Sequence, residues 1–491
     1  VRSIAWLTAG TLAAAAFTTG CGNKYRPVIN PVSPTAPAPE ATSYAIVLSQ
    51  PNQAPAASST DPCPAIPYTS PGVAAVIDFS GDSLLAQATI GTGPLTSAID
   101  STGSNAYALN CDGTITTIPI SATLQNNSLS TTTLFPVNGT ASRPSIQSNI
   151  LVRSTGSYVV NQLRDTVGSL TTATSNGQIA LNQEITVAPA VVTLAGSPGF
   201  TGTSATSSSQ RVYAISQGNS VNGTGAKWGD CDTPSAVTTA GEADGIEVST
   251  NSVSSRLPLG VCPVYGVTSL DGLRTFILNR GSGTVSVINT QTNTLDTALN
   301  PTGTIQLPAA PGASSAGPVY GAYFPQSQLL VTVNYDSGTV SFINAPVDVY
   351  GNDAAGFGTV LATVAVGLHP SAITLLGDGS RAYVANQGDG TVSVLSLTSF
   401  TLEKTIPVGS HPRVISSTYN NPTGKVYVTA PDSNVLTIIR TDTDTVSALL
   451  TLQGFAVDVH ATTQYSAATG TTSNTPANTI VTSASPGSGA P

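Results

Sequence analysis

The chain has 491 residues, of which only 8% are charged, against roughly 25% in ordinary soluble domains. Its net charge is −9. That acidic balance excludes nucleic acid as a partner, because such binders carry basic faces, and it argues against docking on anionic lipid. The missing charge is replaced by Ser, Thr, Asn, Ala, 46 Gly and 34 Pro. This composition fits a turn-rich all-β protein with a neutral, hydroxylated surface.

In chain order, the first element is a targeting segment. No methionine occurs, and Val1 reads as a non-ATG start. Arg2 supplies a positive n-region, Ile4 to Phe17 an apolar run, and Thr18-Thr19-Gly20 a small-residue stretch before Cys21. Residues 1–20 are therefore expected to be a signal peptide. They resemble a bacterial lipoprotein signal, in which the cysteine, here Cys21, is acylated and becomes the new N-terminus. Thr18 stands where such signals usually carry Leu, and an ordinary cleaved signal is the alternative. The apolar run is too short to cross a bilayer.

Residues 21–72, rich in Pro, Ala and Ser, read as a lipid-anchored tether in which Tyr44 to Ser49 has the pattern of one strand. From Val73 a repeat begins. Its marks are "YALN" at Tyr107, "YVVN" at Tyr158, "YAIS" at Tyr213, "FILN" at Phe276, "VTVN" at Val331, "YVAN" at Tyr383 and "YVTA" at Tyr427. Successive starts lie 51, 55, 63, 55, 52 and 44 residues apart. In the best copy, Arg381 to Leu397, an apolar run meets Asn386-Gln387-Gly388-Asp389-Gly390, and then Thr391-Val392-Ser393-Val394-Leu395 alternates. Asn, Asp and Gly tolerate the positive φ of tight hairpins, and the alternation is a strand's period of two. A hairpin is marginal alone. A period near fifty holding four short strands predicts propeller blades.

"GVAAVIDFSGDSLLAQATIGTGP" from Gly72 looks like the third and fourth strands of a blade. The runs from Phe455 and Asn478 look like a first and a second. The ends are expected to complete each other and close the ring, giving eight blades over 73–484, with seven as the alternative. Residues 485–491 read as a disordered tail.

Apart from Cys21, the cysteines are Cys63, Cys111, Cys231 and Cys262. An even number in an exported chain suggests disulfides, and Cys63–Cys111 with Cys231–Cys262 joins neighbouring parts of the repeat. Four free thiols are the alternative. No CxxC or His-rich spacing suggests zinc.

The repeats "YVVN", "YVAN" and "YVTA", followed in the good copies by "GTVSV", resemble the YVTN-repeat β-propellers, most strongly over Val264 to Leu452. The resemblance implies an exported or surface protein. It also implies kinship of fold with sugar-lactone hydrolases and with the non-catalytic propeller subunits of quinoprotein dehydrogenases. Fold does not carry activity.

Candidate site residues are few. His369 and His411 occupy the same Gly-x-His-Pro corner of consecutive blades and are expected near each other at one mouth of the ring. His460 is out of that register. The copy at Tyr213 carries an insertion with Trp228, Asp230, Asp232, Glu242 and Asp244, pinned by Cys231. A recognition lid or calcium site uses such groups, although no EF-hand spacing is present. No GxSxG elbow, HExxH helix or phosphate-binding glycine loop appears, so no catalytic residue, cofactor or metal site is assigned.

The expectation is a non-enzymatic, lipid-anchored envelope propeller that binds a protein or glycan. A lactonase-like hydrolase, a dehydrogenase subunit and a surface-layer component are the alternatives.

Overall fold

The computed structural model describes residues 43–51, 70–100, 103–120, 130–133, 147–153, 156–161, 164–172, 178–196, 211–217, 231, 239–418 and 424–462. These form eight antiparallel sheets. The innermost strands of blades 1–7 are Pro94–Ile99, Gln147–Leu151, Val191–Gly196, Pro263–Thr268, Pro318–Phe324, Pro370–Leu375 and Val414–Ser417; that of blade 8 is Phe455–Ala461. Each packs against the next around a complete circle. The protein is an eight-bladed β-propeller.

The repeat signature has two physical uses. Within a blade, the asparagine closing the second strand reaches two hydroxyls on the third. Asn386 Nδ2 donates to Thr391 Oγ1 and Ser393 Oγ at 2.9 Å each, and Asn279 and Asn334 do the same to Thr284 and Ser286 and to Thr339 and Ser341. Between blades, the tyrosine opening the signature reaches a turn of the next blade. Tyr158 Oη donates to Asn251 Oδ1 at 2.8 Å, Tyr213 Oη to Asn293 Oδ1 at 3.1 Å, and Tyr383 Oη to Asp444 Oδ1. Asn251, Asn293 and Asp444 all have φ between 50° and 57°, a conformation short polar side chains tolerate. Buried tyrosines need such partners for their hydroxyls.

Ring closure follows the expectation in joining the two chain ends, with a corrected division of strands. Blade 8 takes only its innermost strand from the C-terminal side. Its second strand is Tyr44–Gln50, its third Pro71–Asp78 and its fourth Leu84–Thr92. Phe455–Ala461 pairs with Tyr44–Gln50, from Ala45↔Ala461 to Gln50↔Phe455. The strand assigned to the tether is thus part of the propeller, and the place expected for the run from Asn478 is already filled. That run, the signal segment and the tail lie outside the described residues.

Two further ties seal the ring. Tyr44 and Thr462 exchange hydrogen bonds at 2.7–2.8 Å. At the inner end, the buried Asp458 carboxylate accepts from Ser97 N at 2.5 Å, Ser97 Oγ at 2.9 Å and Thr96 Oγ1 at 3.2 Å, all in blade 1.

One bulge recurs. In blades 1–6 and 8 the innermost strand skips a residue near its start, as between Pro94 and Thr96 or Pro370 and Ala372. The residues after it are Thr96, Asn149, Thr193, Tyr265, Tyr320, Ala372 and Asp458, and all are buried. Tyr265 and Tyr320 meet with ring centroids 4.5 Å apart. Burial, then Tyr265 and Asp458, holds the Tyr320 phenol well above its ordinary range. At this level the innermost strands of blades 8 and 1–3 present buried carboxylate, hydroxyl and amide side chains, and those of blades 4 and 5 present tyrosines.

Candidate binding face

The connections from fourth to first strands, together with the turns between second and third strands, form the corner face. Its geometry comes from three devices. A glycine packs where a Cβ would strike the signature asparagine: Cβ on Gly367 would lie 2.6 Å from Asn386 Cγ. The residue before the innermost strand takes positive φ, as in Cys262 (53°) and His369 (49°). A turn side chain then clamps the corner backbone: Asp112 accepts from Thr92 N at 2.7 Å, Asp389 from Leu368 N at 3.0 Å, and Ser282 from Val261 N at 2.6 Å. These acids therefore carry a structural task.

The two corner histidines are on the same face but are not equivalent. His369 sits in the left-handed position and stacks on Tyr335 at 4.6 Å. Arg280 lies 4.9 Å from the same ring and is held by Asp336 at 2.9 Å. In the next blade the positive φ falls on Gly409 and Ser410, one residue earlier, and the clamp shifts accordingly: Asp432 accepts from His411 N at 3.3 Å and meets His411 Nδ1 at 2.7 Å. His460 is elsewhere, buried in blade 8 with Nε2 3.3 Å from Asp458 Oδ2. The structure does not gather the three histidines. Among the described residues no group of three or more His, Cys, Asp or Glu is arranged to hold a metal ion.

The insertion of blade 3 is tied down where expected. Cys231 and Cys262 form a disulfide with Cα atoms 5.5 Å apart, fastening the insertion to the blade 4 corner. Cys111 is also disulfide-bonded, to a partner outside the described residues, where Cys63 lies. Trp228, Asp230 and Asp232 lie outside them too. Glu242 and Asp244, read from sequence as loop acids, belong to the third strand, Ala240–Glu247. Asp244 is fully buried, accepts from Ala188 N at 2.7 Å and lies 3.9 Å from Arg256. Burial pushes its carboxyl up to about 6, against the pull of the Ala188 N–H, and Glu242 adds to the rise.

A raised carboxyl means the folded state binds the proton more tightly than the unfolded state. Stability from this group is present below 3.8 and is lost as pH rises towards about 6. Asp244→Asn should therefore remove that loss. The parent's melting temperature should fall relative to the variant's between those pH values, and the variant should melt higher at pH 7. Parallel pH profiles for the two proteins would refute this.

A second insertion, residues 345–358 between the third and fourth strands of blade 5, was not read from sequence. It lies at the opposite face. Arg274, at the start of the second strand of blade 4, holds it: Nη2 donates to Gly351 O at 3.1 Å and Asp353 Oδ1 at 2.7 Å, while Nε lies 2.6 Å from Asp296. Asp296 is drawn inward where the fourth strand of blade 4 splits into Thr294–Leu295 and Thr304–Gln306. The sequence signal was Arg274 itself, a cation opening the apolar run "RTFILN"; the structure shows every residue of that strand buried.

Solved structures confirm the architecture. The chain is similar to AztD from Citrobacter koseri, with a TM-score of 0.54, 13% identity, and coverage of 86% of this chain and 98% of that one. It is similar to the dihydro-heme d1 dehydrogenase NirN in complex with DHE, at 0.54 and 12%, covering 84% and 73%. It is also similar to a 6-phosphogluconolactonase-like protein from Bacteroides fragilis, at 0.50 and 12%, covering 87% and 99%. At these identities the likeness shows the propeller fold alone. Neither a protein-family model nor a curated protein sequence matches the chain.

Proposed function

We propose that this protein is an exported, lipid-anchored propeller of the bacterial envelope that serves as a non-enzymatic binding scaffold. Its corner face holds the site for a protein or glycan partner. The observation that carries this reading is the disulfide that ties Cys231, within the long insertion of blade 3, to Cys262 at the corner of blade 4. Disulfides belong to oxidising compartments, in keeping with export. The corner acid Asp389 is occupied in holding backbone, so recognition on this face is assigned to the exposed Leu368 and the His369–Tyr335 stack, together with the insertion that carries Cys231.

The anchor is tested by Cys21→Ser, which should abolish lipid labelling and leave at most a weak, reversible association with membranes. Parent protein that is already soluble after export would sink it. The non-enzymatic reading is tested with purified protein and a panel of sugar and aliphatic lactones. Turnover that disappears in His411→Ala or Asp432→Asn would overturn it, because those residues form the exposed imidazole–carboxylate pair a hydrolase would use.

A further inference from the structure

Among the described residues, apart from Leu368 on the corner face and Leu449 midway along the fourth strand of blade 7, the exposed large apolar side chains lie at one rim. Leu84, Leu361, Leu402 and Val446 are 36–46% exposed. Each is the first or second residue of a fourth strand, in blades 8, 5, 6 and 7 respectively. These blades are consecutive around the ring. Fourth strands begin on the face opposite the corners, so the four residues form one crescent along half of that rim. In blades 3 and 4 the fourth strands begin Ser252-Val253 and Thr294-Leu295, and their apolar residues are partly buried against their own blades.

The 345–358 insertion projects from the same face at blade 5, and at its tip Val349 and Tyr350 are 93% and 80% exposed. The tip is held rather than loose. Asp348 accepts from Tyr350 N at 2.8 Å and Asn352 N at 2.9 Å, Val347 bridges Asp353, and Arg274 grips Gly351 and Asp353 from below. Phe357, at the insertion's base, stacks on Phe276. Backbone order that keeps two large side chains in water is pre-organised for a contact outside the chain.

The described chain enters the propeller at one end of this crescent, in blade 8. Second and fourth strands of an antiparallel sheet run in the same direction, so Tyr44, the first residue of the second strand of blade 8, starts at the crescent's face. Residues 21–42 precede it, and 22 residues reach at most roughly 70–80 Å.

We propose that this face rests on a zwitterionic phospholipid surface, with Val349 and Tyr350 inserted at the headgroup boundary and the leucine crescent lying against it. The inference rests on the lipid-anchor reading, which brings the crescent to the bilayer. An arc of single apolar residues on a convex rim fits a plane rather than a socket, and tyrosine suits an interface that is apolar at one end and wet at the other. A chain of net charge −9 does not seek anionic lipid, so the headgroups are neutral overall.

The test uses the full mature lipoprotein in phosphatidylcholine–phosphatidylethanolamine vesicles, some with brominated acyl chains. In a Trp228→Phe background, the emission of Tyr350→Trp should shift to the blue and be strongly quenched by brominated lipid, while that of Leu368→Trp on the corner face should not. With Cys21→Ser protein, Val349→Ser with Tyr350→Ser should lower vesicle partitioning roughly tenfold or more. Slower chymotryptic cleavage at native Tyr350 on vesicles reports the same contact without new tryptophans. A lipidated Tyr350→Trp protein that sediments with vesicles while its indole stays in water overturns this inference and leaves the anchor standing. Equal quenching of the Tyr350→Trp and Leu368→Trp proteins overturns it as well, as does shielding of the Tyr350→Trp indole only when envelope protein is added. A mature chain that carries no lipid defeats the anchor reading instead; the Cys21→Ser partitioning arm then decides the face by itself.

Discussion

A chain ended after Gly454 should melt far below the parent or aggregate. The truncation removes Phe455–Ala461, the innermost strand of blade 8. Tyr44–Gln50 then becomes an open edge, and Ala456 and Val459 leave a core they share with Val414, Tyr427 and Leu436 of blade 7. The Asp458 seal on Ser97 and Thr96 disappears as well, so blades 7 and 1 face each other across a gap. At ~25 cal/mol per Å² of apolar surface exposed, one lost inner strand costs several kcal/mol. That is a large share of the ~5–15 kcal/mol that holds a domain folded. A chain ended after Thr462 keeps each of these ties and should melt close to the parent. The comparison is a thermal melt of both truncations beside the full mature chain. Parent-like melting of the Gly454 truncation would show that the ends do not close the ring; collapse of the Thr462 truncation would show that later residues complete the blade.

Arg274→Ala should destabilise the protein by ~3–5 kcal/mol, the usual result of removing one member of a buried ion cluster. The guanidinium and Asp296 are both nearly inaccessible, and Asp353 is only slightly more open. Without the cation, two carboxylates remain out of water with no counter-charge. Burial already raises the Asp296 carboxyl, with Arg274 opposing that rise. The variant should therefore regain stability as pH falls and the carboxyl takes up a proton, the reverse of acid denaturation. Arg274→Lys keeps the charge but loses the planar fork that serves Asp296, Asp353 and Gly351 together, and should fall between the two. Urea unfolding of the three proteins at pH 5 and pH 7 decides it. A loss below ~1 kcal/mol for Arg274→Ala at pH 7 would mean that the cluster contributes little.

What sequence alone determined is what repeats at short range. The asparagine clamp joins residues five and seven apart, Asn386 to Thr391 and Ser393, so every good copy spells it and the blade is legible. The corner glycine and the residue before proline are similarly local. The count of eight followed from adding such units, and the approach of the two ends from their unmatched strands.

Only the tertiary structure decided how those ends divide. Several short apolar runs flank the ring, and any β-strand pattern satisfies a vacant ladder. The place of Tyr44–Gln50 is fixed by contacts with residues more than 400 positions away, such as the hydrogen bond from Tyr44 N to Thr462 Oγ1 and the ladder with Phe455–Ala461. The same holds for the histidines. His369 and His411 share a motif, yet a one-residue slip in positive φ sends one to Tyr335 and the other to Asp432. Arg274 and Asp353 are 79 residues apart, and no local pattern announces that one will hold the other, nor that Val349 and Tyr350 will be left in water above them. Periodicity records contacts within a repeat. Contacts between blades depend on which surfaces meet, and that is set only when the ring is closed.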